Sequence, residues 1–274
     1  MSDPPTVSSR TAWRASPLLR ASAILHVGAA VATAVRPQWW PWTVGTVIAN
    51  HLQLTATGLW PRSTGLGSNW TTLPPAAAAR GEVAITIDDG PDPQITPQVL
   101  RLLAAHGAHA SFFCIGERVD RYRDCVRDCV AAGHAVENHS QHHAHHFSLL
   151  GPGSMRREIE GAQHTIEQVS GSRPLFFRAP AGLRNPFLDP VLHRLQLQLA
   201  SWTRRGFDTV KSDPQAVLNR LTYNLRAGDI LLLHDGHAAR SRAGVPVILE
   251  VLPRLLQIIA ARALTAVTLR AALR

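Results

Sequence analysis

Apolar and polar positions along this chain fall into two regimes separated by a short irregular stretch. Residues 21–35 are largely apolar, interrupted by His26 and Thr33. As a helix this run spans only ~22 Å at ~1.5 Å per residue, short of a ~30 Å hydrocarbon core. A second apolar run, residues 39–60, carries no formal charge, although Asn50, His51 and Gln53 sit in its middle. Trp39, Trp40 and Trp42 mark one end and Trp60 the other, an arrangement like an interfacial aromatic belt. Residues 61–80 lose this character. Pro61, Gly65, Gly67, Pro74 and Pro75 make them read as a linker, closed by a short alanine run.

From Gly81 onward the pattern alternates between periods of two and of 3.6 residues. Short β-branched or apolar runs predict strands at 83–87, 110–115, from 135, and at 175–177, 195–202, 230–233 and 266–267. Helical spacing predicts helices at 96–106, 119–132, 154–169, 214–225 and 247–261, the last despite Pro253. Gly107, Gly133 and Gly171 are stop signals, and Ser154 and Asp213 are candidate caps. Strands alternating with helices imply a mainly parallel sheet wrapped by helices. The polar clusters fall just after strands, where α/β barrels carry their sites.

Three arrangements suit the first 62 residues. The favoured one is a helical hairpin in the membrane. A cleaved signal peptide is the second, since Arg10, Arg14 and Arg20 precede the run and Ala32-Thr33-Ala34 resembles a cleavage site. The third is a pair of amphipathic helices packed on the domain that follows. In the hairpin both chain ends lie on one side of an inner or cytoplasmic membrane. The flanking arginines, with Arg62 and Arg80, point to the cytoplasmic side, and Arg36 in the connection opposes this.

Composition sharpens the picture. Of 274 residues, 45% are hydrophobic, ample for a core, and only 17% are charged, which suits a membrane-facing part. The net charge of +9 comes almost wholly from arginine and favours an anionic partner, such as membrane lipid head groups or an acidic glycan. No basic stripe interleaves with aromatics, so no nucleic-acid partner is expected. Three cysteines are too few and too irregular for a disulfide framework. Cys125 and Cys129 read as small residues on a half-buried helix face.

The chemistry sits in a few clusters. Asp88-Asp89-Gly90 ends the first strand, where successive side chains point different ways. One carboxylate can bind a metal while the other faces an attacking water, although Asp-Gly-Pro is also good turn chemistry. His139 and His143 are four apart, and two imidazoles with a carboxylate make a common facial set for a divalent ion. His142, His145 and His146 crowd the same segment, and His142 and His146 share the spacing. Arg178-Ala179-Pro180-Ala181-Gly182 follows a strand; its arginine can hold a carboxylate, and its backbone N–H groups can face an oxyanion. Leu232-Leu233-His234 ends a buried strand with an imidazole able to act as a general acid near neutral pH. Asp208 could hydrogen-bond that histidine.

Taken together and in this order, these motifs resemble the polysaccharide deacetylase family, the NodB-homology domain or carbohydrate esterase family 4. Thr86-Ile87-Asp88-Asp89-Gly90-Pro91 is similar to its first motif and His139-Ser140-Gln141-His142-His143 to its His-Ser/Thr-x-x-His motif. The 178–182 segment is similar to its Arg-x-Pro-x-Gly loop, residues 202–208 partly to its fourth motif, and Leu232-Leu233-His234 to its last. The resemblance covers about residues 81–270. It implies a distorted (β/α) barrel preceded by two hydrophobic helices, with 1–62 a hydrophobic region, 63–80 a linker and 81–274 the catalytic domain.

The resemblance also implies roles. Asp89, His139 and His143 would hold one divalent metal, usually zinc in this family. Asp88 would be the general base with Arg178 as its partner, and His234 the general acid, oriented by Asp208. The Ala181 N–H would face the oxyanion, with Pro180, Leu232 and Trp202 contacting substrate. The implied reaction removes an N-acyl group, chiefly acetyl, from an amino sugar in a polysaccharide, a peptidoglycan-type glycan or a lipid-linked saccharide. Two other classes compete: a membrane-anchored glycan- or lipid-binding protein with a structural metal, and a histidine-rich metal buffer. The chain departs from the family where Ala179 and Ala181 replace a proline and an aromatic, and where Arg205-Gly206-Phe207-Asp208-Thr209 replaces Asp-x-x-Asp-Trp. Both changes should open the pocket and make it more basic, which fits an anionic substrate.

Overall fold

The computed structural model describes residues 12–274; Arg10, one of the cations flanking the first apolar run, lies outside them. Two helices come first, α1 (Pro17–Val35) and α2 (Trp40–Gly58). α1 begins four residues before the apolar run because Ser16 caps it, its Oγ accepting the Leu19 N–H. Its 19 residues give a length of about 28 Å at ~1.5 Å per residue. The sequence predicts two hydrophobic helices, but among the described residues only α1 is long and apolar enough to cross a membrane. The polar residues that interrupt both runs explain why they pair. Asn50 Nδ2 donates to Ser22 Oγ (2.8 Å), His26 and His51 meet at Nε2 (3.2 Å), and the Thr33 and Thr43 hydroxyls share a hydrogen bond (2.7 Å). Such bonds join helices where apolar burial cannot. The outer faces stay apolar and exposed, with Ile24, Val27, Val31, Trp42 and Ile48 all more than half accessible.

The rest is an α/β half-barrel. In chain order it runs α3 (Pro75–Ala79), β1 (Glu82–Gly90), α4 (Thr96–Ala105), β2 (Ala110–Cys114), α5 (Gly116–Arg121), α6 (Arg123–Ala131), β3 (Ala135–Asn138), α7 (Pro152–Ser170), β4 (Phe176–Phe177), α8 (Leu188–Leu195), β5 (Gln198–Leu199), β6 (Arg204–Arg205), α9 (Pro214–Thr222), β7 (Ile230–His234), α10 (Val247–Ala261) and β8 (Thr265–Val267). The strands pair in parallel in the order β5-β4-β3-β2-β1-β7-β6, with β8 also against β1. The segment read as a linker bridges the open side of this sheet. Trp70 pairs with Ala200 and Thr72 with Asp229, and the segment's own Leu66, Leu73 and Ala77 are buried.

Three local expectations need correction. The helix predicted at 119–132 is two, broken at Tyr122, whose φ of −124° and ψ of 53° lie outside the helical region. The strand predicted at 195–202 is mostly the end of α8, a turn with Gln196 at φ 58°, and the two-residue β5. Ser154 is not a cap: α7 begins at Pro152, and Ser154 Oγ accepts from Arg157. Cys129 is buried and Cys125 half-buried on α6, both as free thiols.

Side-chain alternation on β1 separates packing from chemistry. Val83, Ile85 and Ile87 face the large core under the helices, with Leu231 and Leu233 of β7 and Val251, Leu252 and Leu255 of α10. Ala84 faces inward, where Phe113, Phe176, Trp202, Ile230 and Leu232 form a smaller inner core. Thr86 and Asp88 follow Ala84 on this inner face, and His234 follows Leu232. Period two thus delivers Asp88 and His234 to the barrel's interior at the carboxyl ends of adjacent strands.

Candidate metal centre and active site

Strand register assembles the site. Asp88 lies directly opposite His234 across β1 and β7, and Asn138 lies opposite Phe177 across β3 and β4. His139 and Arg178, one residue further on, therefore emerge side by side. Asp89 adopts φ 70°, turning it away from Asp88. Ser140 (φ 66°), His143 (φ 51°) and Ala181 (φ 54°) share this left-handed region, which non-glycine residues adopt only where surroundings over-determine them. Ser140 Oγ accepts the His143 N–H at 3.1 Å, and Asn138 Oδ1 accepts the Ser140 N–H at 2.9 Å, fixing the turn.

One carboxylate and two imidazoles converge there. Asp89 Oδ1 lies 3.2 Å from both His139 Nε2 and His143 Nε2. One ligand atom from each of the three residues falls within 4.8 Å of the others, so the group could hold a metal ion. His139 Nδ1 donates to the Arg178 carbonyl at 2.8 Å, which sets the ring so that Nε2 faces Asp89. Burial disfavours charge on His143 and, with the neighbouring His139, pushes its pKa down to about 4, leaving a neutral ring with a free lone pair. Burial alone would raise Asp89, but hydrogen bonds from His139 and His237 outweigh it and hold the carboxyl well below the usual range. This donor set fits a divalent ion: an ionised carboxylate and imidazole nitrogens, with room left for other ligands.

Asp88 and His234 line the same cavity as that group, each held by its own partner. Arg178, fully buried, donates from Nη1 to Asp88 Oδ1 (2.6 Å) and Thr86 Oγ1 (2.8 Å). Its Nε and Nη2 donate to the carbonyls of Ala200 (3.1 Å) and Ser201 (2.7 Å), and its guanidinium lies 4.1 Å from the Phe113 ring centre. Burial lowers the Arg178 pKa, and the Asp88 charge works against that lowering. His234 Nδ1 lies 2.9 Å from Asp208 Oδ1, and Asp208 Oδ2 accepts the His234 N–H at 2.7 Å. Burial pulls the His234 pKa down, but the Asp208 carboxylate overrides it and the pKa rises. The ring's other nitrogen is left for the cavity.

The cavity above these groups has a volume of about 510 Å³. Asp88, Asp89, His139, His143, His234, Ala181, Trp202 and Leu232 all line it, whereas Pro180 is buried behind Ala181. Arg205 and Thr209 line it too, at the positions where the sequence departs from the family pattern. His142 and His145 reach the rim, where His142 Nδ1 pairs with Glu158 at 2.8 Å; neither joins the ligand group.

Glu117, Arg118, Arg121 and His237 also line the cavity and escape the sequence reading; His237 is the one that touches the ligand group. His237 Nδ1 lies 3.2 Å from Asp89 Oδ2, the oxygen not shared by the two ligand histidines. The signal was a second imidazole three residues past His234, but no spacing rule links it to an aspartate 148 positions earlier.

Comparison with known proteins bears on the same region. Residues 76–200 match the family model for polysaccharide deacetylase. The chain is 35% identical over 175 residues to a peptidoglycan-N-acetylglucosamine deacetylase of Bacillus cereus, covering 63% of this chain and 81% of the relative. It is 34% identical over 158 residues to a chitooligosaccharide deacetylase of Azorhizobium caulinodans, covering 57% and 75%. A family 4 carbohydrate esterase from Streptomyces lividans, solved with acetate, superposes with a TM-score of 0.61 at 30% identity, covering 68% of this chain and 91% of that one. Fold, motif order and relatives converge: this chain belongs to the polysaccharide deacetylase family and is a hydrolase of non-peptide carbon–nitrogen bonds.

Proposed function

We propose that this protein hydrolyses the N-acetyl group of an amino sugar, using Asp89, His139 and His143 to hold one divalent ion. The observation that carries this reading is that two oppositely supported residues line the same cavity as that group, Asp88 on Arg178 and His234 on Asp208. Neutral imidazoles with one carboxylate suit zinc best among common divalent ions. Bound there, the ion would polarise the acyl oxygen and make water a better nucleophile.

The chain's own residues do the rest. Asp88, held by Arg178, takes the proton from the attacking water. The Ala181 N–H, presented by its left-handed turn, donates to the developing oxyanion. His234, kept protonated by Asp208, gives its proton to the departing amine. Leu232 and Trp202 give the acetyl methyl an apolar wall, with Pro180 behind it holding the Ala181 turn. A binding protein with a structural metal would need neither Asp88 nor His234 in these positions.

Relatives named for peptidoglycan and chito-oligosaccharides make an N-acetylglucosamine glycan the first substrate to test. The apolar, exposed outer faces of α1 and α2 support membrane association, with α1 as anchor or signal sequence. Arginine distribution points to the cytoplasmic side, and peptidoglycan-directed relatives point to the outer side. A reporter fused after Arg274 separates the two.

The decisive experiment measures acetate release and metal content together. Asp88→Asn should abolish turnover with metal retained, and His139→Ala should lose both. An active, metal-free His139→Ala protein would overturn the assignment.

A further inference from the structure

A second groove opens beside the catalytic cavity and shares Trp202 and Arg205 with it. Its volume is about 530 Å³, and Arg62, Arg204 and Arg220 complete its cationic lining. No acid lines it. Arg204 is neutralised by Asp229 at 2.6 Å, but among the described residues Arg62, Arg205 and Arg220 pair with no carboxylate.

The arrangement is costly without a ligand. Arg205 and Arg220 lie over the same Phe207 ring, at 4.9 and 4.7 Å from its centre. Two guanidiniums on one ring repel each other, and the ring's quadrupole offsets only part of that. The Arg205 Nε is buried with no hydrogen-bond partner. Arg62 is tied by one Nη1 bond to the Thr203 carbonyl (2.9 Å), which leaves the rest of its fork free. Planar forks of this kind suit phosphate oxygens. Arg62 also stands four residues after the end of α2, so the groove lies where the hairpin joins the barrel.

We infer that this groove binds a phosphate group on the substrate, placed next to the amino sugar whose acetyl group enters the catalytic cavity. The inference rests on the proposed deacetylation and deepens it: the substrate class is a phosphorylated amino-sugar glycan, with a lipid diphosphate linkage as the form that the hairpin would bring close.

The test uses the full chain in detergent, with metal bound. Acetate release is compared for a neutral chito-oligomer and for the same oligomer carrying a 1-phosphate. Wild type should favour the phosphorylated substrate in kcat/KM by about tenfold or more, through KM. The exposed pair Arg62→Gln and Arg220→Gln should bring that ratio close to one, and Arg205→Gln should lower it alone. A wild-type ratio near one, or a ratio untouched by the variants, overturns the inference. Calorimetric binding of N-acetylglucosamine 1-phosphate separates this from failure of the chemistry. Binding that is lost in the double variant while no substrate releases acetate keeps the groove and rejects the reaction. Acetate release without such binding rejects the groove. Competition by phosphatidylglycerol vesicles but not by the soluble sugar phosphate assigns the groove to lipid head groups and overturns the inference.

Discussion

Removing Arg178 should separate what holds the barrel together from what performs chemistry. Its guanidinium is 1% exposed and Asp88 is 3% exposed, so neither charge has water to fall back on. Arg178→Met, close in length and apolar, leaves the Asp88 carboxylate buried and uncompensated. It also orphans the Ala200 and Ser201 carbonyls that the fork now serves, while the Thr86 hydroxyl keeps its bond to the Leu231 carbonyl. Breaking a buried pair by removing one partner costs about 3–5 kcal/mol. For a chain of this size that is a fall in melting temperature of about 6–20 °C. The double variant Arg178→Met with Asp88→Asn removes the stranded charge as well, so it should recover a large part of the lost stability. It should recover no activity, because the base is gone. Thermal unfolding of the four proteins of this cycle, with acetate release measured on each, gives both readouts. Additive losses in stability, with the double variant worse than Arg178→Met, would refute the view that Arg178 chiefly compensates Asp88.

Other perturbations probe different parts. Asp208→Asn should slow turnover by about 10- to 150-fold, from a charge-assisted bond worth about 1.5–3 kcal/mol. Because Asp208 holds the His234 pKa up, the variant's alkaline limb should move to lower pH; an unmoved limb in the pH–rate profile would remove His234 as the acid. His134 is pushed from 6.5 down to about 4, first by burial and then by His109, and its neutral Nδ1 accepts the Ala110 N–H at 3.2 Å. Between those two pH values the unfolded chain takes up a proton that the folded chain refuses, so stability should fall as pH drops from about 6.5 toward 4. His134→Gln should flatten that fall in urea midpoints. Gly182→Ala places a methyl 2.6 Å from the Trp202 ring and 2.7 Å from Pro61 at φ 75°. It should cost more than about 1 kcal/mol and weaken activity by shifting the cavity wall, with an unchanged melting temperature as the contrary result.

What was legible in the sequence, and what was not, follows from the range of the forces involved. Residues 83–87 and 230–233 read locally as strands that end on an acid and an imidazole, and the β1–β7 register then sets Asp88 beside His234. The polar interruptions in the first two runs looked like defects in membrane segments. Paired across the hairpin they are its contacts, and nothing short of the antiparallel register could show that Ser22 meets Asn50. The misread stretches share a cause. Residues 195–199 alternate leucine with glutamine, and the leucines are buried while the glutamines are exposed, so a period of two runs unbroken through the end of α8 and the Gln196 turn, and only the packed fold shows where the helix stops. Residues 61–80 carry the breakers of a linker, yet Trp70 and Thr72 pair with both sides of the sheet opening, a role that exists only once the half-barrel has formed. His237 was missed for the same reason.

The departures from the family pattern show the opposite case, in which sequence and structure inform each other. Arg205 in place of an acid, read alone, says only that the pocket is more basic. In the fold it stands between two cavities, against Trp202 at 5.3 Å on one side and Phe207 on the other. Arg118 and Arg121 line the catalytic cavity as well, the latter paired with Glu117 at 3.0 Å. On the groove side, Arg220 across Phe207 repels the Arg205 guanidinium. An anion in that groove resolves the conflict. The same substitution that removes the family's usual acid thereby adds a cation where the proposed phosphate would sit. Arg205→Gln should therefore stabilise the ligand-free protein and weaken phosphorylated substrates in particular; unchanged turnover of those substrates would show that the groove never meets an anion.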